Sequence, residues 1–439
     1  MRGLAQFFAC NTIDGPVCPG HLGLMSALMA AYGRLPVTMV RGEGAEMYDN
    51  KGRRYLDALG GIAVVALGHA DPVFTDTVAK QLSTLLHCSN LYSIPAQEAL
   101  GAELCRLAGM DKTFFCNSGA EANEACIKIA RLHGHARGIE NPTIIVMDTA
   151  FHGRTLATIA ATGNTKIQKG FGPLTPGFVT APFDDADSVE AIAEVRNDIV
   201  AVMVEPVQGE SGIQVPQKGY LARLREICDA RGWLLICDEI QSGMGRTGRW
   251  FAHQHDNIRP DVMSLAKALG NGVPIGACLA RGAAAELIQP GSHGTTFGGN
   301  PFACSAGLVV TRELARRDLV ARAGVLGTRM LDGFQAALHN RPGVVEIRGK
   351  GMMIGIELEQ DCPELVTRAL DAGLLINVTA GNVIRLLPPF ILSDAQADEI
   401  VTGVTALIEK WLDETDPAGH ATGDHSPATN GPLPTGAEA

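Results

Sequence analysis

No run of about 18 consecutive apolar residues occurs in this 439-residue chain, so no transmembrane helix is implied. Excess positive charge is also missing. The net charge of −11 argues against nucleic acid or an anionic membrane as the main partner. The eleven cysteines form no CxxC pair, and several, such as Cys116, Cys126, Cys237 and Cys278, sit inside apolar runs. That pattern suits a reduced, cytosolic chain with small buried thiols. The pairs His133/His135 and His253/His255 lack cysteine or carboxylate partners at ligand spacing, so no metal site is expected. There is no internal repeat. Residues 1–24 contain no lysine, and their apolar stretch is too short and broken for a signal peptide. From Asp413 onward large apolar side chains nearly vanish, and a disordered tail over 413–439 is expected.

What is present is an ordinary globular composition, 46% apolar and 19% charged, with 51 glycines. The length supports two or three domains. From Lys112 to Ala280 short apolar runs alternate with helical periodicity. Strands are expected near 113–116, 143–147, 178–181, 199–204, 233–237, 261–265 and 275–280. That predicts an α/β fold with one mostly parallel seven-stranded sheet covered on both faces. A long helical stretch at 303–340 leads to a smaller α+β domain at 341–412. It holds strands near 344–347, 352–358, 374–378 and 383–386, and a last amphipathic helix over 395–412. The large domain is placed at 71–302. Residues 25–70 form an N-terminal segment packing with the small domain, with a hairpin turning at Asn50-Lys51-Gly52.

Two charged residues end buried-strand runs. Asp238 closes Trp233-Leu234-Leu235-Ile236-Cys237, and Lys267 follows 29 residues later. Charges at the carboxyl ends of such strands open into the crevice where α/β proteins bind ligands. An acid and an amine so placed suit pyridoxal phosphate (PLP): the lysine forms the Schiff base and the acid keeps the pyridine nitrogen protonated. Asn117-Ser118-Gly119-Ala120-Glu121 joins a strand to a helix and makes an anion site from backbone N–H groups and the Ser118 hydroxyl; the simpler reading is an ordinary helix cap. Phe151-His152-Gly153-Arg154 offers a ring to stack and a fork for a carboxylate. Thr295 and Thr296 lie in a glycine-rich loop, His293 to Pro301. Glu210 follows the strand ending at Val204, and Arg385 lies in the small domain. The stretch Gly243-Met244-Gly245-Arg246-Thr247-Gly248 matches the dinucleotide pattern GxGxxG. It lacks the strand directly before it and the helix after it that a nicotinamide site needs.

Together these stretches, with Gly60 to Val64, Leu67-Gly68-His69 and His87 to Tyr92, resemble the class III aminotransferases of PLP fold type I, most of all their acetylornithine branch. The likeness runs from about Met25 to Leu412, so residues 1–24 stand outside it as an extension. It implies that Lys267 carries the coenzyme, Asp238 pairs with its ring nitrogen, Gln241 reaches its ring hydroxyl and Phe151 stacks on it. Ser118, Gly119 and Ala120 would hold the phosphate, with Thr296 donated across a homodimer interface. Arg154 would bind a substrate carboxylate, and Thr295 would line the pocket across that interface. Arg385 would bind the α-carboxylate of glutamate, and Glu210 would mask it for ω-amines. The implied reaction is δ-amino transfer from N2-acetylornithine to 2-oxoglutarate. Succinyldiaminopimelate, succinylornithine, ornithine or GABA are the alternative donors. An isoleucine at position 62, where ornithine aminotransferases carry an aromatic, disfavours free ornithine.

Overall fold

The computed structural model describes residues 27–415. The expected extension at 1–24 and the expected tail beyond 415 lie outside the described residues. Residues 27–38 form a unit of their own with neither helix nor strand, and a second unit begins at Met39. That boundary falls inside the segment 25–70.

The second unit opens with an antiparallel meander of β1 (Met39–Glu43), β2 (Glu46–Asp49) and β3 (Arg54–Asp57). The β2–β3 turn is made by Asp49, whose Oδ1 accepts the N–H groups of Lys51 and Arg53 at 2.8 and 2.9 Å. Gly52 takes the left-handed conformation at its tip, φ 80°, which glycine adopts without a Cβ penalty.

The large sheet consists of β4 (Lys112–Cys116), β5 (Thr143–Met147), β6 (Phe178–Ala181), β7 (Ile199–Val204), β8 (Leu234–Asp238), β9 (Val262–Leu265) and β10 (Gly276–Ala280). Their spatial order is β4-β10-β9-β8-β7-β5-β6. Strand β10 is antiparallel to both neighbours, and the remaining pairs are parallel. Every residue of β5, β7, β8, β9 and β10 is buried, as continuous apolar strands between two helical layers require. The Gly119–Ala136 helix packs Ala125, Cys126, Ile129 and Ala130 against Ile144, Met203 and Ile236 on one face. Leu221, Leu224 and Ile227 of the Tyr220–Arg231 helix meet Ile145, Val202 and Leu235 on the other. The parallel directions bring the carboxyl ends of β4, β5, β7, β8 and β9 to one edge.

A third sheet holds β11 (Val344–Lys350), β12 (Met353–Leu358), β14 (Asn377–Thr379) and β15 (Val383–Leu386), all antiparallel, in the order β11-β12-β15-β14. The remaining strand, β13 (Leu374–Leu375), runs parallel to β3 in the N-terminal sheet.

Three expectations need correction. The stretch 303–340 is not one helix but two, Pro301–Arg316 and Leu319–Leu338. Asp318 breaks it with φ 51°, a left-handed conformation that short polar residues tolerate. The run 374–378 is two strands in two sheets, because the chain crosses from β3 to β15 at Ile376. The last helix, Asp394–Thr415, absorbs the first residues of the expected tail. Asp413 and Glu414 pair with Arg341 and Arg368, which fixes that final turn. Among the described residues no helix is long and apolar enough to cross a membrane.

Candidate active site

A cavity of about 440 Å³ opens at the carboxyl edge of the large sheet. Its walls include Lys267, Asp238, Gln241, Ser118, Gly119, Ala120, Phe151 and Arg154. Residues separated by up to 149 positions thus meet because parallel strands deliver their ends to one place.

Lys267 begins a single 3₁₀ turn directly after β9. Its φ of 46° is left-handed, a strain of the kind held at functional sites. Among the described residues its amine has no hydrogen-bond or ion-pair partner. Burial holds that amine below the usual lysine range. The charges of Glu210, Asp238 and Glu205 oppose this, and Arg385 adds to it. The lowered value keeps a larger neutral fraction, the form that attacks a carbonyl and accepts a proton.

Asp238 ends β8 and is buried. Its Oδ2 accepts from Asn123 Nδ2 and His152 Nδ1, both at 2.8 Å. Its Oδ1 accepts from Ile240 N at 3.1 Å and Ser264 Oγ at 3.3 Å. Burial pulls the His152 imidazole down, but the Asp238 bond and the charges of Asp238 and Glu205 outweigh it, and its pKa stands above the ordinary value. Glu205, one residue past β7, is also enclosed. Burial pushes its carboxyl up to about 7, against the opposing charge of His152. It accepts from Phe151 N at 2.9 Å and Gly209 N at 3.1 Å.

The Gly119–Ala136 helix aims its N-terminus at the cavity. Ser118 Oγ accepts from Glu121 N at 3.2 Å, which leaves the Ser118 hydroxyl proton and the first N–H groups of the helix free for an anion. Gly276 of β10 lies against the Ser118 carbonyl so closely that a Cβ there would fall 2.3 Å from it.

Behind the cavity, Arg385 Nη1 donates to Glu210 Oε1 at 2.7 Å and to Gly209 O at 3.2 Å. Its Nη2 reaches Asn377 Oδ1 at 2.9 Å. The Arg385 side chain is 2% exposed and that of Glu210 33%. Burial alone would raise the Glu210 carboxyl, but Arg385, with Lys267 and Arg154, holds it below the usual carboxylate range.

Two named residues stand apart. Thr295 lines a separate cavity of about 620 Å³ with Asn90, Phe115 and Gly298, although its Oγ1 lies 3.4 Å from Asn117 Nδ2. Thr296 lines neither cavity. The stretch 243–248 forms turns with no helix after it. His253 binds Glu239.

Sequence reading assigned no part to Asn123, Glu205, His152 or Ser264. The available signal was polar residues on otherwise apolar elements: Asn123 on the buried helix face and Ser264 inside β9.

The site fits PLP. The Gln241 Oε1 is buried without a partner, the Lys267 amine is unengaged, and a helix N-terminus stands ready for a phosphate. The comparisons agree. The family model described as Aminotransferase class-III matches residues 28–408, and the chain belongs to the class III aminotransferases, which are PLP-dependent enzymes. An acetylornithine aminotransferase of Nitrosomonas europaea is 53% identical over 89% of this chain and 99% of its own length. One from Mycobacterium tuberculosis is 47% identical over 88% and 95%. Among solved structures, N-acetylornithine aminotransferase from Stenotrophomonas maltophilia K279a aligns with TM-score 0.76 at 35% identity, covering 87% of this chain and 98% of that one. An ornithine aminotransferase from Toxoplasma gondii, with PLP at partial occupancy in its active site, aligns at TM-score 0.84 and 32% identity, covering 93% and 95%.

Proposed function

We propose that this enzyme transfers the δ-amino group of N2-acetylornithine to 2-oxoglutarate, giving N-acetylglutamate 5-semialdehyde and glutamate, as a step of arginine biosynthesis in the cytoplasm. The working form is a homodimer whose sites lie at the shared interface, which accounts for Thr295 and Thr296 standing outside the single-chain cavity. Identity near 50% to relatives named for acetylornithine supports that donor over free ornithine.

The observation that carries the reading is Glu210 seated on buried Arg385 at 2.7 Å. Glutamate brings an α-carboxylate beside its reacting carbon. The δ-carbon of acetylornithine has no such charge. A guanidinium serving both must be bare for one and masked for the other, because an uncompensated buried charge costs about 3–5 kcal/mol. Glu210 is one-third exposed, so its side chain has room to leave.

PLP supplies an aldehyde to bind the amine and a ring that withdraws electrons. Ser118, Gly119 and Ala120, joined by Thr296 from across the interface, hold its phosphate, Phe151 stacks on the ring and Gln241 meets the ring hydroxyl. Asp238 keeps the ring nitrogen protonated, with Asn123 and His152 fixing the carboxylate. Lys267 carries the aldehyde at rest and, once displaced by substrate, moves the proton through Nζ. Arg154 binds the carboxylate remote from the reacting carbon.

Glu210→Ala tests this through single-turnover rates of the two half-reactions. The acetylornithine half is expected to slow at least about tenfold, some 1.4 kcal/mol, relative to the glutamate half. Equal slowing of both would remove the mask.

A further inference from the structure

The loop carrying Glu210 has a fixed backbone beneath a mobile side chain. Gln208 and Gln214 exchange both backbone hydrogen bonds at 3.0 Å and close it. Thr379 Oγ1 donates to the Glu210 carbonyl. The far side is gripped by Arg348 of β11. Its Nε donates to the carbonyls of Gly212 and Ile213 at 3.0 and 3.1 Å, and its Nη2 to Gly212 O at 2.8 Å. Its Nη1 is oriented by Glu346 at 2.6 Å and Glu357 at 2.5 Å. What Arg348 holds is strained. Ile213 is β-branched, fully buried and left-handed at φ 56°, an outlier for such a residue. Gly212 precedes it at φ 97°, where a Cβ would lie 2.8 Å from Val383 Cγ2. Conformations of this kind persist only where the surroundings over-determine them. Here the over-determining group is one buried guanidinium, two residues beyond the acid that discriminates substrates.

We propose that Arg348 is a positioning residue for substrate discrimination. By gripping the Gly212 and Ile213 carbonyls it holds the loop so that only the Glu210 side chain moves when Arg385 changes partner. This rests on the reading of Glu210 as the mask of Arg385. Without the grip the loop relaxes toward an unstrained backbone, and the Glu210 carboxylate no longer returns to Arg385 at full occupancy. The acetylornithine half-reaction, which needs the mask, then suffers more than the glutamate half. A purely structural tie between β11 and the loop would lower stability and slow both halves alike.

The test is a double-mutant cycle on the holoenzyme. Arg348→Lys keeps charge and stem but cannot fork onto two carbonyls. Single-turnover rates for acetylornithine and for glutamate are measured in wild type, Arg348→Lys, Glu210→Ala and the double variant. Arg348→Lys is expected to lower the acetylornithine-to-glutamate rate ratio about three- to tenfold. In the Glu210→Ala background the same change should move it less than about twofold, because coupled residues are not additive. An unchanged ratio in Arg348→Lys, or the same shift in both backgrounds, overturns the inference. Should Arg348→Lys fail to fold, Glu357→Gln loosens the same guanidinium and is expected to shift the ratio in the same direction. Uniform slowing in Glu210→Ala alone would instead sink the mask itself and the inference with it.

Discussion

Removing the Asp238 carboxylate is expected to weaken the fold before any coenzyme is bound. In Asp238→Ala, Asn123 Nδ2 and His152 Nδ1 lose an acceptor 2.8 Å away. Both residues are at most 1% exposed, so water does not replace it. Each stranded donor costs about 1–3 kcal/mol, or roughly 2–6 kcal/mol for the pair. Two effects favour the lower half, about 2–4 kcal/mol. Asn123 keeps its bond to the His152 carbonyl at 2.8 Å, and His152 loses the charge that raised its pKa. The assay is urea unfolding of the coenzyme-free protein, comparing midpoints at equal slope. The pH dependence supplies a second check. A histidine raised in the folded state contributes stability that is full below its ordinary 6.5 and lost as pH rises through the folded value. The variant lacks that contribution, so the gap between wild type and variant should narrow above pH 6.5. A loss below about 1 kcal/mol, or a gap that widens with pH, would refute the network as described.

Two further outcomes follow from the same site. Lys267→Ala should abolish turnover while PLP still binds without a covalent link, because Ser118, Gln241 and Phe151 are untouched; borohydride reduction and peptide mapping should fix PLP at position 267 in wild type only. Glu205, raised in the folded state from 4.5 to about 7, binds more protons folded than unfolded across that window, so its contribution to stability declines as pH rises through it. Glu205→Gln cannot titrate, so unfolding measured from pH 4.5 to 7 should move in the variant's favour relative to wild type; a constant difference would contradict the burial of this carboxyl.

Much of the fold is legible in the chain because burial on both faces leaves a plain signature. Strand β7, Ile-Val-Ala-Val-Met-Val, has no polar residue to alternate with, and β5 and β8 read the same way. Direction is not legible: nothing in Gly276–Ala280 distinguishes the one antiparallel strand from its neighbours. The break at Asp318 is hidden because apolar periodicity continues on both sides without glycine or proline. The division of 374–378 is hidden because both halves are strand, and only their partners differ. At the site, Lys267, Asp238 and the Ser118 turn announce themselves by charge or hydroxyl at the end of an apolar run. The supports of Asp238 do not. His152 is 86 residues away and Asn123 is 115, so their pairing exists only once the sheet has formed. Arg348 gives even less warning, since an arginine in an edge strand is ordinarily solvated.

The central claim is that this site serves an acylated ω-amine at one half-reaction and glutamate at the other. The most direct measurement is kcat/KM of the purified holoenzyme for N2-acetylornithine, succinylornithine, succinyldiaminopimelate, free ornithine and GABA, each with 2-oxoglutarate. The account predicts that acetylornithine exceeds free ornithine and GABA by at least about tenfold, some 1.4 kcal/mol of barrier. Equal or greater efficiency with free ornithine or GABA would contradict it.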